Sequence, residues 1–259
     1  MKQRGAKLGQ HFLIHSWAAR ALAHVVPLHD GETYLEIGPG KGVLTKELLA
    51  LGPVVAVEKD HDLIPRLQER FAREITASTF KLVEADVRDV SSESLGLGAY
   101  VVAANIPYYI TGEIIRQFLT ARTQPRALAL LVQKEVAQRI VSTTESILSL
   151  SVKAYGVPRI ADKVPAKHFS PPPRVDSAIL VVERVSKDFF SDITEDAFFR
   201  VVHAGFASKR KMVANNLAVV YGKEKSLAAL AVAQIPEKAR AENINIEAWK
   251  SLTRALSAQ

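Results

Sequence analysis

The stretch Glu36-Ile37-Gly38-Pro39-Gly40-Lys41-Gly42 constrains this chain more than any other. It follows the short apolar run Tyr34-Leu35-Glu36-Ile37 and precedes a segment, Val43 to Leu51, in which Val43, Leu44, Leu48 and Leu51 share one side of a helix. A buried parallel strand, a glycine turn and a helix make the first unit of a doubly wound α/β fold that binds nucleotides. The glycine spacing then narrows the ligand. A dinucleotide fingerprint is G-x-G-x-x-G, but here the third glycine is Gly42 and Val43 stands in the expected place. Pro39 also removes one backbone N–H from a turn that would need donors for a pyrophosphate.

A cofactor without phosphate suits this turn better. S-adenosylmethionine is one, and Glu36 sits where it can accept from that cofactor's ammonium. Alone, the glycines read equally as a tight turn after a strand. Two further acids argue for the cofactor. Pro53 to Glu58 is a second apolar strand ending in an acid twenty positions after Gly38, where nucleotide folds hold both ribose hydroxyls. Phe80 to Asp86 is a third, and Asp86 at its end can accept from an adenine amino group, with Val87 beside it.

Further along, Tyr100 to Ala104, Ala127 to Val132, Ile147 to Tyr155 and Ala178 to Val185 complete a set of seven expected strands. The last two are expected to pair antiparallel through the proline-rich Val164 to Pro173. Past Arg184 the strand signals stop. Helices are expected over Ala197–Phe206, Lys211–Tyr221, Lys225–Ala233 and Glu247–Leu256, which sets a domain boundary near Val185-Ser186-Lys187. The sequence therefore predicts an α/β catalytic domain over 1–186 and a small all-α domain over 187–259.

Absent residue types exclude whole chemistries. Cysteine is missing, so disulfides, cysteine-held zinc and thiolate nucleophiles are out. The seven histidines form no H-E-x-x-H pattern, so no metal site is expected. No run of eighteen apolar residues offers a membrane span, and no signal peptide opens the chain; a cytoplasmic protein is expected. The formal charge of +7 is compatible with a polyanionic partner. Lys2, Arg4, Lys7 and Arg20 are the only charged residues before Asp30, and Lys209-Arg210-Lys211 follows an aromatic helix. Both clusters are candidates for phosphate contact, and both read nearly as well as solvated basic segments.

Asn105-Ile106-Pro107-Tyr108 falls at the tip of the fourth strand, where open α/β sheets bind ligands. These residue types suit alkylation of an exocyclic amine. The lone pair of adenine N6 is delocalised into the ring. Two acceptors, the Asn105 side-chain oxygen and the Ile106 carbonyl, can hold its hydrogens and turn the nitrogen toward tetrahedral geometry. Pro107 stiffens the turn, and the Tyr108 ring offers a face for an extruded base. The ring, not the hydroxyl, is expected to do the holding.

With both motifs in place, the chain resembles the KsgA-type family of small-subunit (16S) rRNA adenine N6,N6-dimethyltransferases. The resemblance runs nearly end to end, through Leu8-Gly9-Gln10-His11-Phe12-Leu13, Glu36 to Thr45, Asn105 to Thr111, Leu131 to Ile140 and Phe169 to Ser177. It implies a Rossmann-like class I methyltransferase fold with a mostly parallel seven-stranded sheet. It also implies cofactor contacts at His11, Leu13, Gly38, Gly40, Glu58, Asp86, Val87 and Asn105, and Phe169 as a second aromatic beside the target base. The implied reaction dimethylates two adjacent adenosines in a hairpin near the rRNA 3′ end. The implied partner is small-subunit rRNA in a maturing subunit, met by a monomeric enzyme, and on charge Arg4, Lys7, Lys209, Arg210 and Lys211 are the candidate contacts with its phosphates. Tyr109 stands where the family often has Asn, and Ser142 to Ser146 lacks its usual P-G-S-K-x-Y-G loop.

Two other readings share these parts. One is an rRNA methyltransferase of the antibiotic-resistance type that acts on the large subunit; the C-terminal segment and the Phe169 to Ser177 block favour the small subunit. The other is a non-enzymatic assembly factor, against which Asn105, Tyr108, Glu58 and Asp86 stand intact.

Overall fold

The computed structural model describes residues 11–257. The strands are β1 Phe12–Leu13, β2 Thr33–Ile37, β3 Val54–Glu58, β4 Phe80–Glu84, β5 Tyr100–Asn105, β6 Ala127–Gln133, β7 Val157–Val164, β8 Phe169–Ser170 and β9 Ser177–Glu183. Seven of them form one sheet in the order β4-β3-β2-β5-β6-β9-β7, while β1 and β8 pair in a separate two-stranded ribbon. Neighbours from β4 through β6 run parallel, and β9 is antiparallel to both β6 and β7.

Burial follows from this order. β3 is buried at every position, and β5, β6 and β9 at every position but one end. That is the signature of strands covered on both faces, and it explains their near-continuous Val, Ala and Leu. β7 is an edge. It carries Pro158, exposes most of its residues and has a register shift between Ile160 and Asp162, all devices that suit a strand with one free side. One face of the sheet packs under helix Ser16–His24, whose Ala18, Ala19, Leu22 and Ala23 are buried in a core with Tyr34, Leu48, Ala129 and Val181.

The sequence placed the sixth strand over Ile147–Tyr155, and the structure corrects this. Ile147–Lys153 is a helix, and the strand lies ten residues later as β7. The run Ile-Leu-Ser-Leu-Ser-Val alternates like a strand, but its serines cap instead. Ser146 Oγ accepts from Ser149 N at 3.1 Å and Ser149 Oγ accepts from Ser146 N at 2.7 Å, a reciprocal capping box. The atypical loop is pinned from inside: buried Glu145 accepts from Lys153 Nζ at 2.6 Å and Ser149 Oγ at 2.6 Å. The expected antiparallel pairing of the last two strands is present, with β7 as the partner of β9.

The chain packs as two compact units. One runs to residue 137 and takes up 157–185, and so holds the sheet and the ribbon. The other joins 138–156 to 186–259. The segment 138–156, assigned by sequence to the catalytic domain, thus packs with the helices. The second unit contains helices Glu195–Gly205, Val213–Tyr221, Lys223–Val232 and Ile246–Ser257. Its core includes an aromatic cluster in which Phe190 meets Tyr155, Phe189, Phe198 and Phe199 at centroid distances of 5.1 to 6.1 Å. No helix among the described residues is long and apolar enough to cross a membrane.

Candidate active site

Strand order reverses between β2 and β5, and ligands of open α/β sheets bind outside the strand ends at that point. The turn after β2 is built for close approach. Gly40 has φ +58°, and a Cβ there would sit 3.0 Å from the Phe12 ring. Gly42 has φ +73°, and its Cβ would meet Phe71 Cε2 at 2.6 Å. A side chain at either position strains a left-handed backbone and crowds an aromatic ring. Gly38 N donates to Val57 O at 2.9 Å, which ties the turn to β3.

A cleft opens here, lined by His11, Phe12, Gly38, Gly40, Glu58 and the whole of Asn105-Ile106-Pro107-Tyr108. A second hollow shares Phe12, Gly38, Gly40 and Asn105 with it and adds Leu13, Glu36 and Lys41. The two motifs singled out in the sequence therefore face one space.

Each side chain has a definite state. Glu58 is buried and accepts from Gly40 N at 3.0 Å, and from Lys59 N and Asp60 N at 2.9 Å. Glu36 is buried too, but neither carboxylate oxygen has a hydrogen-bond partner. Burial pushes its carboxyl up to about 8, and the Glu58 charge adds to this. Thr45 opposes the shift from nearby, although its hydroxyl completes no hydrogen bond. Asn105 Nδ2 donates to the His11 carbonyl at 3.1 Å. A carbonyl only accepts, so the amide must face it with nitrogen, which leaves Oδ1 as an acceptor.

Tyr108 has a partner that the sequence reading did not include. Its hydroxyl lies 2.7 Å from buried Ser177 Oγ, and burial raises the phenol above its ordinary range. The hydroxyl is thus an anchor that fixes the ring, not a bystander. The ring stands 5.7 Å from that of His11, whose Nδ1 is bonded to Pro171 O at 2.7 Å. Sequence reasoning passed over Ser177 and Phe12, although both lie in quoted blocks. Their role is visible only once β1 and β9 are brought to the strand tips.

Asp86, Val87 and Phe169 are not among the residues that line the cleft. Asp86 accepts from Lys59 Nζ at 2.7 Å and from Arg88 N, Nε and Nη2 at 3.0, 3.0 and 2.6 Å. These donors hold its carboxyl far below the usual range, and its four acceptor positions are filled. Val87 is buried. Phe169, expected beside the target base, is instead 2 % exposed and packs in the core with Leu13, its partner across the ribbon. Its apolar ring contributes more in that core than at a wet cleft mouth.

Lys209, Arg210 and Lys211 are exposed, in the turn between helices Glu195–Gly205 and Val213–Tyr221. They lie past the end of the first helix and before the start of the second. Arg4 and Lys7 fall outside the described residues.

Comparison with known proteins agrees with this arrangement. The family described as Ribosomal RNA adenine dimethylase matches residues 1–257. Ribosomal RNA small subunit methyltransferase A of Dehalococcoides mccartyi is 40% identical over 95% of this chain and 86% of its own length. The protein of that name from Moorella thermoacetica is 36% identical over 96% of this chain and 91% of its own. In fold, the chain is similar to a dimethyladenosine transferase from Plasmodium falciparum, with a TM-score of 0.80 at 24% identity over 93% of this chain and 96% of that one. It is also similar to the 23S rRNA methyltransferase ErmE, with a TM-score of 0.77 at 24% identity over 95% of this chain and all of that one. With a family match over nearly the whole chain and relatives 36–40% identical along almost all of it, the chain belongs to the ribosomal RNA adenine dimethylase family.

Proposed function

We propose that the chain dimethylates adenosine N6 in small-subunit rRNA, with S-adenosylmethionine as methyl donor. The observation that carries this is the state of Asn105: its amide is turned by the His11 carbonyl so that Oδ1 is left to accept, in the cleft that Tyr108 and Glu58 also line.

The residues fit the cofactor. Two buried carboxylate oxygens of Glu36 lack any partner beside the glycine turn, and an ammonium supplies one. Glu58 keeps one acceptor position for a ribose hydroxyl, and Leu13, Gly38 and Gly40 line the same two hollows. Asp86 serves the adenine amine by releasing one contact from Lys59 or Arg88. When bound, S-adenosylmethionine supplies a methyl group activated by its sulfonium.

The protein's task is then to present N6. Asn105 Oδ1 and the Ile106 carbonyl accept its two hydrogens, which pulls the nitrogen lone pair out of conjugation. Tyr108, anchored on Ser177, holds the base face. After alkylation N6 sheds a proton to solvent, so no strong base is required. Positioning and fixed acceptors supply most of the acceleration.

The substrate in this reading is a pair of adjacent adenosines in the 3′-terminal hairpin, met within a maturing subunit in the cytoplasm by a monomeric enzyme. The sheet-bearing unit carries the chemistry, and the helical unit, through Lys209 to Lys211, meets rRNA phosphate. The test is single-turnover methylation, with labelled cofactor, of small subunits that lack the modification. Label should appear in adenosine, and Asn105→Ala should lower the rate by about 10²–10³ with cofactor saturating. Near-normal turnover in that variant would move the catalytic site elsewhere.

A further inference from the structure

Three rings outside the cleft gather where the β1–β8 ribbon continues. His15 and His168 meet edge to face with centroids 4.6 Å apart, and Trp17 lies 5.5 Å from His168. Trp17 and Ile14 are each 47% exposed. One exposed apolar residue calls for no explanation, but an indole, an isoleucine and two imidazoles in one patch do.

The ribbon ties this patch to the active site. His11 and Phe12 line the cleft. Phe12 pairs with Ser170 and Leu13 with Phe169, and Ile14 N then donates to His168 O at 3.0 Å. Three residues of extended chain separate His11 from Ile14, about 10 Å, or a few nucleotides of a stacked strand. The charge around the patch suits a polyanion. Lys167 is exposed next to His168, while Arg20, three residues after Trp17 on helix Ser16–His24, is paired with Glu47. Neither 11–17 nor 165–170 contains an acid. Of the nearby carboxylates, Asp176 accepts from Ala166 N at 3.0 Å and Glu47 from Arg20 Nε at 3.4 Å. Burial, with His15 and Lys167 adding to it, holds the His168 imidazole below its usual range, so this ring stacks as a neutral aromatic at pH 7.

We propose that Trp17, with His15 and His168, forms a stacking platform for an unpaired nucleotide of the rRNA substrate a few positions from the target adenosine, with Lys167 on its phosphate. This rests on the cleft being an adenosine-methylating site. Bases stack on aromatic side chains whatever their identity, so the platform sets the path of the strand without reading its sequence.

The chain has two tryptophans, and Trp249 is fully buried, so Trp17 is the indole that a bound base can reach. Titration with an RNA hairpin carrying unpaired flanks should quench the emission of the unaltered protein, while the residual emission of Trp17→Phe should not respond. Trp17→Ala should raise KM for small subunits about 5- to 150-fold, with kcat and cofactor affinity unchanged. Trp17→Phe, which keeps a ring, should recover most of that loss. Cofactor affinity in both variants reports that the cleft has folded. Methyl transfer by the unaltered protein without quenching, and with KM unchanged in Trp17→Ala, overturns the platform alone. Quenching without methyl transfer by the unaltered protein overturns the catalytic reading instead and leaves the platform as an RNA contact.

Discussion

Glu36 is a carboxyl held in the wrong protonation state for its own proposed task. With its pKa raised to about 8 by burial, it carries a proton at neutral pH, yet it pairs with an ammonium only when ionised. Cofactor binding should therefore release close to one proton at pH 7. Affinity should climb about tenfold per pH unit below pH 8 and then level off. Calorimetry in buffers of different ionisation enthalpy measures the proton directly, and Glu36→Gln should abolish it. The same shift acts on stability with a definite sign. Between the ordinary value of 4.5 and about 8, the folded protein holds a proton that the unfolded chain has lost. Stability of the cofactor-free protein should thus fall as pH rises through that window. Unchanged heat across the buffers would mean that Glu36 is already ionised or does not meet the ammonium. At this scale the sequence was informative about which residues matter and blind to their partners. Glu36, Glu58 and Asn105 stood out by position, because strand ends are where a doubly wound sheet exposes function. Nothing local could show that Ser177 holds Tyr108, that Arg88 and Lys59 occupy Asp86, or that Phe169 turns into the core. Those depend on long-range pairings.

Among the elements, the turn from Gly38 to Gly42 is the most tightly specified. Gly42→Ala combines a left-handed backbone with a Cβ 2.6 Å from the edge of Phe71. The backbone alone costs about 1–2 kcal/mol, and the clash pushes helix Ile64–Arg70 and Phe71 away from the turn. The variant should melt several degrees lower, as seen by calorimetry, and should bind cofactor more weakly. A melting temperature equal to that of the unaltered protein would show that Phe71 swings aside freely. Strands buried on both faces were easy to recognise, since a continuous run such as Val54-Val55-Ala56-Val57 has few other uses. The error at Ile147–Lys153 has a physical cause. Alternating Leu and Ser satisfy the strand period, while the Ser146–Ser149 capping box and the buried Glu145–Lys153 pair decide for a helix. The edge strand β7, half exposed and broken by a bulge, gave a weak signal for the same reason that it makes a safe edge.

At the scale of the molecule, charge is the property that sequence reports and contacts then distribute. The net charge of +7 is spread over many paired side chains, but Lys209, Arg210 and Lys211 are exposed together in one turn. If they lie on phosphate, replacing all three with alanine should reduce the slope of log affinity against log salt by about 2 to 3. Binding of small subunits measured across a salt series gives that slope. Identical slopes would assign the turn to solvent.

The order of strands in the sheet also imposes an order in time. β7 is made before β9, yet β9 is its partner in the sheet, so the edge strand leaves the ribosome with no place to dock. About twenty residues must follow, a wait of about 1–4 s at roughly 5–20 residues per second. Helix Ile147–Lys153 waits longer, because the residues it packs with begin at Ser186. The middle of this chain is therefore the part a nascent polypeptide carries unprotected. Its charged, bulged edge strand and serine-capped helix are features that keep such a segment soluble until the last third of the chain arrives.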